Sequence, residues 1–286
     1  MADGWRAGVS WHRGRHRGGG GWKAKSGTIA TSMRNILLTI QYDGSRYCGW
    51  QRQPHGLSVQ QVLEEALEPI QGGPVRLRAA GRTDAGVHAE GQAANFRTSS
   101  LHPAEAFLRS ANTQLPPDVA IVAAREAPVE FDARRDARMR WYRYRIATGP
   151  IRPVFGREQA LHCPFPLDPQ LAAAALSLFE GRHDFAGLRS AHCAARRTVL
   201  DLECSLAAEA GRWTLDFQCR SFLHNMVRIL AGAVLETARG KLGLADLEAV
   251  ARSGRRDARI PTAAAHGLTL MAVGYPPSAL RGGNWP

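Results

Sequence analysis

The chain has 286 residues, with 37 Lys and Arg against 25 Asp and Glu, a formal net charge of +12 and 44% hydrophobic residues. A chain of this length makes one large domain or two small ones and buries about 75% of its extended surface, so its core needs neither disulfide nor metal. The hydrophobic fraction excludes a wholly disordered chain; the five cysteines (48, 163, 193, 204 and 219), odd in number and without a CxxC pair, disfavour structural zinc and a secreted disulfide framework and point to reduced thiols in a cytosol; and no apolar run approaches the roughly 18 residues of a membrane span.

Residues 1–32 differ from the rest. They carry six basic residues and one acidic one, a glycine run at Gly18–Gly21, and three tryptophans without a period. No helix face or strand is encoded there. A basic RNA-binding arm and a targeting segment are two readings. The preferred one is a start of translation at Met33, immediately before the first strand. The remainder of the chain is still basic by +7, which suits a polyanionic partner without demanding one. Only three of the basic residues are lysines (Lys23, Lys25 and Lys241), a skew that genome base composition produces as readily as function.

Ile36–Tyr42 reads as a strand rich in branched and aromatic residues, closed by turn chemistry at Asp43-Gly44-Ser45. A helix follows with Ser58 as N-cap and Gln61 completing a capping box. Its apolar face is Val59, Val62, Leu63, Ala66, Leu67 and Ile70. Residues 75–78 and 92–97 read as strands around a polar loop, and a helix near 103–112 and a strand near 119–124 come next. Residues 141–146 alternate, with Tyr142, Tyr144 and Ile146 on one face and Arg143 and Arg145 on the other. Asp168 caps a helix with Pro169 in its first turn and a stripe of Leu171, Ala174, Ala175 and Leu178. Leu200 to Leu206 and Trp213 to Cys219 alternate as an antiparallel hairpin with one buried face. A long helix is expected over Phe222 to Arg239, and a last strand over Gly267 to Val273. The order implies an α+β layer fold.

Three places carry possible chemistry. In the loop Gly81-Arg82-Thr83-Asp84-Ala85-Gly86, glycines allow a tight turn and close approach to a ligand. Asp84 is either a nucleophile or base, with Arg82 beside it to touch a phosphate or a displaced base, or a turn former bonded to its own backbone. The long helix is apolar around most of its circumference, so Arg228 needs a carboxylate or phosphate partner, for which Asp84 is a candidate, unless it reaches solvent along its stem. Gly232 marks a close packing contact. Tyr142 is either core or a stacking surface for a base. His88 and His224 have no partners at metal-ligand spacing, and no P-loop or dinucleotide fingerprint is present.

All of these residues but Gly232 fall within six ordered segments that resemble the tRNA pseudouridine synthase A family. They are Tyr42-Asp43-Gly44 with Tyr47, residues 49–53 and Val59-Gln60; residues 81–89 with Gly91-Gln92; residues 131–134 with 142–144; Asp184-Phe185 with the 189–197 stretch; residues 222–228; and Ala265-His266-Gly267-Leu268. Together they span about residues 34 to 276. Trp141 stands where a basic residue is common and Ala264 where proline is frequent. Neither is a residue assigned to chemistry.

The resemblance implies the pseudouridine-synthase fold: a large mixed, mostly antiparallel sheet flanked by helices, with a catalytic cleft between two similar halves, 33–138 and 139–276, and a tail at 277–286. It implies isomerisation of uridine to pseudouridine at positions 38, 39 and 40 in the anticodon stem-loop of tRNA. The enzyme would be a cytoplasmic homodimer that uses neither metal nor organic cofactor. Within that reaction Asp84 is the expected nucleophile, with attack on the base, attack on the sugar and removal of a sugar proton left open, Arg228 is its ion-pair partner, Tyr142 serves stacking and proton transfer, and Leu268 is among the substrate contacts; base flipping is assigned to Arg82 from its place beside Asp84. A non-catalytic RNA-binding protein and a nucleoside hydrolase or glycosidase are the competing classes. The second typically needs two carboxylates, and the 81–89 loop offers one.

Overall fold

The computed structural model describes residues 33–191 and 193–280. The reading of residues 1–32 as a tail ahead of a start at Met33 lies outside the described residues, as do His192 and residues 281–286 of the C-terminal tail.

In chain order the elements are β1 (Arg34–Tyr42), α1 (Val59–Gln71), β2 (Arg78–Ala79), β3 (His88–Thr98), α2 (Ala104–Gln114), β4 (Val119–Ala127), β5 (Met139–Thr148), β6 (Leu161–Cys163), α3 (Pro169–Ser177), β7 (Gly181–Asp184), β8 (Val199–Glu209), β9 (Arg212–Cys219), α4 (Met226–Ala238), α5 (Leu244–Ser253) and β10 (Leu268–Gly274). The strands form one sheet in the order β4-β1-β3-β10-β5-β9-β8-β7, with β2 added to β3 and β6 to β5. All pairs are antiparallel except β10 with β3 and β5 with β6. This is the expected α+β architecture with a mixed, mostly antiparallel sheet.

The last strand in sequence lies in the middle of the sheet. β10 pairs with β5 through Leu268↔Tyr144 and Leu270↔Tyr142, and with β3 through Thr269↔His88. That insertion sets the loop before β3 beside the strand that carries Tyr142. β5 alternates as its sequence requires, with Arg140, Tyr142, Tyr144 and Ile146 all buried on one face. The anticipated antiparallel hairpin β8–β9 forms, with its apolar residues in register as Leu202↔Cys219, Cys204↔Phe217 and Leu206↔Leu215.

Four local expectations change. The strand at 75–78 shrinks to Arg78–Ala79, because the Leu77 amide donates to Glu64 Oε1 (3.0 Å) and not to a strand partner. Ser58 caps α1 by accepting from the Gln61 amide (3.3 Å), but the Gln61 side chain donates forward to Glu65 (3.0 Å), so the capping box is half made. In α3 the buried residues are Ala172, Ala175 and Leu176. The stripe is therefore rotated by one position from Leu171, Ala174, Ala175 and Leu178; in an alanine-rich helix both phases keep the i, i+3, i+4 spacing. The helix expected from Phe222 begins at Met226, because Asn225 holds φ +60°, the left-handed region, where an α-helix cannot propagate. α5 was not anticipated.

Within α4, Gly232 abuts another segment: a Cβ there would lie 2.2 Å from the Pro261 carbonyl oxygen. Replacing a helical glycine by alanine ordinarily gains about 1 kcal/mol. Here the obstructing atom is main chain, and overpacking costs of about 1–3 kcal/mol win. Gly232→Ala is expected to lower the melting temperature by roughly 3–8 °C. An unchanged or raised value in thermal unfolding would disprove the contact.

Candidate active site

The loop between β2 and β3 is held by its carbonyls. Gln92 Nε2 donates to Gly81 O (2.9 Å), the Trp50 amide to Thr83 O (3.1 Å) and the Val87 amide to Asp84 O (3.2 Å). The Tyr42 and Thr83 hydroxyls bond at 2.8 Å. Gly49, at φ +102°, lets the neighbouring chain lie against this loop; a Cβ there would come within 2.7 Å of Thr83 O. The Asp84 side chain takes no part in this bracing. It points across to the segment leading into α4.

There Arg228 Nη1 stands 3.3 Å from Asp84 Oδ2, and His224 Nε2 stands 3.6 Å from Asp84 Oδ1. The partner foreseen for Arg228 is therefore in contact, and the snorkelling alternative is not adopted. Arg228 is aimed by two further bonds, Nε to Ala263 O (2.8 Å) and Nη1 to Asn225 Oδ1 (3.1 Å). The left-handed turn at Asn225 presents its own amide and His224 to this cluster. The pair is only partly buried, with the arginine side chain 18% and the aspartate side chain 31% exposed. The cost of breaking it is therefore smaller than for a fully buried pair.

These groups line a cleft of about 1200 Å³ that also takes in Arg82, Tyr142 and Leu268. Tyr142 is buried, and its ring meets Phe222 edge-on at 5.2 Å. Burial pushes its hydroxyl up to about 12, despite the opposing effect of Arg140, so near neutral pH it is an uncharged phenol. Leu268 is buried at the start of β10. Arg82 is exposed and makes no ion pair among the described residues. All five residues anticipated for the site thus line one cleft.

A second carboxylate, Asp132, also lines it. It accepts from the amides of Arg134 and Arg135 (each 3.0 Å) and from Arg78 Nη1 (3.1 Å). Burial raises its pKa, but the Arg135 amide, the Arg78 guanidinium and the Arg134 amide together outweigh this and hold it below the usual carboxylate range. An acid kept ionised in this way is a turn cap, not the proton donor of a two-carboxylate glycosidase.

His88 lies apart from the reacting groups. The Gly44 amide donates to its Nδ1 (3.1 Å), and its Nε2 bonds the His266 carbonyl (3.1 Å), which makes it a buried joint. His224 proves to be a second neighbour of Asp84. Its place four residues before Arg228 was the one signal of this in the sequence. Arg140 was missed, although the alternation of β5 puts it on the apolar face with Tyr142 and so flags a buried charge.

An aspartate on a braced loop, ion-paired to an arginine of α4, thus lines one cleft with a buried tyrosine and further arginines. The profile of the tRNA pseudouridine synthase family matches residues 38–136 and 175–276. The tRNA pseudouridine synthase A of Pelobacter propionicus is 45% identical over 244 residues, covering 85% of this chain and 100% of that protein. Those of Geotalea daltonii (42% identical, 85% and 100% covered) and Myxococcus xanthus (40% identical, 88% and 97% covered) are similar as well. Among solved structures, an unknown protein from Galdieria sulphuraria aligns at a TM-score of 0.22 and 13% identity over 65% of this chain and 80% of its own, a likeness with no bearing on the fold. The chain belongs to the tRNA pseudouridine synthase family, isomerases that convert uridine to pseudouridine in tRNA.

Proposed function

We propose that this chain isomerises uridine to pseudouridine at positions 38, 39 and 40 in the anticodon stem-loop of tRNA, acting as a cytoplasmic homodimer, with Asp84 as the reacting group. The observation that carries this reading is the Asp84 carboxylate, held on its braced loop against Arg228 across the cleft in a chain of this family. Residues 33–138 supply Asp84 and Arg82; residues 139–276 supply Tyr142, Arg228 and Leu268.

A uracil stacked in a stem is out of reach, so the base is extruded into the cleft at a cost of a few kcal/mol. The N1–C1′ bond breaks, the base turns, and C5 bonds to C1′. The proton on C5 is lost and N1 gains one, so the net change is an isomerisation. Asp84 performs the covalent or proton-transfer step. Arg228 orients its carboxylate through the 3.3 Å contact across the cleft. Tyr142 and Leu268 form the surface on which the base rests. As a neutral phenol, Tyr142 takes up the C5 proton only by passing on its own.

The test is a tRNA transcript with tritium at uracil C5. Tritium release, with pseudouridine recovered from the anticodon arm, supports the reading. Free uracil would instead show hydrolysis, and binding without release would leave a binding protein. Arg82 has its own test. If it holds the extruded nucleotide, Arg82→Ala lowers kcat by about 100-fold while tRNA affinity at fixed salt changes by only a few fold. If it only touches a phosphate, affinity falls and the slope of log K against log salt drops by about one, with kcat kept.

A further inference from the structure

Arg140 is 8% exposed, and its guanidinium has main-chain carbonyls, not a carboxylate, as its hydrogen-bond partners. Nε donates to Ala80 O (3.2 Å), Nη2 to Ala80 O (2.5 Å) and Arg134 O (3.2 Å), and Nη1 to Arg220 O. These three carbonyls belong to three chain segments that converge on the cleft. Ala80 is the residue before the loop that carries Asp84. Arg220 begins the connection that carries His224 and leads to Arg228. Arg134 lies in the link between β4 and β5. Arg140 itself stands two residues before Tyr142 on the same face of β5. A Cβ at Gly81 would lie 3.6 Å from Arg140 Nε and 3.9 Å from the Tyr142 hydroxyl.

A buried charge of this kind is a poor device for stability, because an apolar side chain of similar volume avoids the desolvation cost. What a guanidinium offers is a rigid planar fork that fixes several acceptors at set angles. Asp84 and Arg228 are 144 residues apart in sequence and meet at 3.3 Å. A misplacement of about 1 Å at a reacting centre costs on the order of 100-fold in rate.

We propose that Arg140 is a positioning residue for this reaction, the tie that holds the Asp84 loop and the 220–225 connection at the separation that brings Asp84, Arg228 and Tyr142 together. It touches neither base nor phosphate. The inference deepens the proposed isomerase reading and rests on it for the kinetic arm of its test.

That test compares the full chain with Arg140→Met and Arg140→Lys. Kinetics on tRNA are read beside hydrogen–deuterium exchange of the backbone amides. Arg140→Met, of similar length but without donors, is expected to lower kcat by about 100-fold with KM and tRNA Kd within about threefold. It is also expected to speed exchange at 81–87 and 221–225 while leaving β1 as protected as before. Arg140→Lys, which keeps the charge and can donate to some of the carbonyls, is expected to recover part of kcat and part of the protection. A Met variant with wild-type kcat and unchanged exchange overturns the proposal. So does a loss confined to tRNA affinity with a shallower salt slope, which would make Arg140 a phosphate contact. If the Met variant does not fold, the Lys variant decides: reduced kcat at unchanged Kd supports the tie, and unchanged kcat and exchange refute it. If wild type makes no pseudouridine, the isomerase reading fails, and the exchange measurement still decides whether Arg140 joins the two segments.

Discussion

Asp84→Asn is expected to lower pseudouridine formation by at least about a thousandfold in kcat, while melting temperature and tRNA affinity stay near those of wild type. Asparagine keeps the shape of the side chain and an oxygen able to accept from Arg228. It removes the charge and with it the capacity to attack or to take a proton. The loop should not rearrange, because its bracing runs through main-chain carbonyls and the Thr83 hydroxyl and not through the Asp84 carboxylate. The stability cost should be small, because the Asp84 side chain is 31% exposed and water screens the lost ion pair. Tritium release and nucleoside analysis after digestion measure the first expectation; thermal unfolding and filter binding measure the second. A variant that still forms pseudouridine at a comparable rate would reduce Asp84 to a structural partner of Arg228. A variant that unfolds would show that the pair holds the cleft together.

Local pattern carried most of the fold. The alternation of β5, β8 and β9 and the caps at Ser58 and Asp168 are written in short windows, and each of these elements formed where its window indicated. The shortfalls come from interactions that a window does not contain. Leu77 left its strand because Glu64, thirteen residues earlier, offered an acceptor. The start of α4 moved because Asn225 adopted a conformation that its apolar neighbours do not encode. The central place of β10 is a pairing between chain ends, and no period foretells it. In the site, Asp84, Arg228, Tyr142, Arg82 and Leu268 were legible because their motifs resemble a family. Residue chemistry alone left Asp84 as either a turn former or a reactive group. Arg140 and Asn225 act through main-chain carbonyls and a backbone dihedral, and only coordinates display such partners.

Arg228→Met carries the second large expectation, a fall in kcat of about 100- to 1000-fold. Methionine fills much of the same volume but leaves Asp84 Oδ2 without its cation, with His224 at 3.6 Å from the other oxygen as the remaining charged-capable neighbour in contact. The bonds to Ala263 O and Asn225 Oδ1 are lost as well, so the first turn of α4 is freed from two of its anchors. The expected stability loss is about 1–3 kcal/mol, between the small value of an exposed pair and the larger one of a fully buried pair, because the arginine is 18% and the aspartate 31% exposed. Arg228→Lys separates charge from geometry. It retains a cation near Asp84 but not the fork that reaches Ala263, Asn225 and Asp84 at once, so it should recover only part of kcat. The double variant with Asp84→Asn gives the sharpest reading. If Arg228 acts through the Asp84 carboxylate, adding Arg228→Met to Asp84→Asn should cost little further activity, because the group it serves is already gone. Full additivity of the two losses would mean that Arg228 works on the substrate independently of Asp84, and the ion pair would then be incidental to the chemistry.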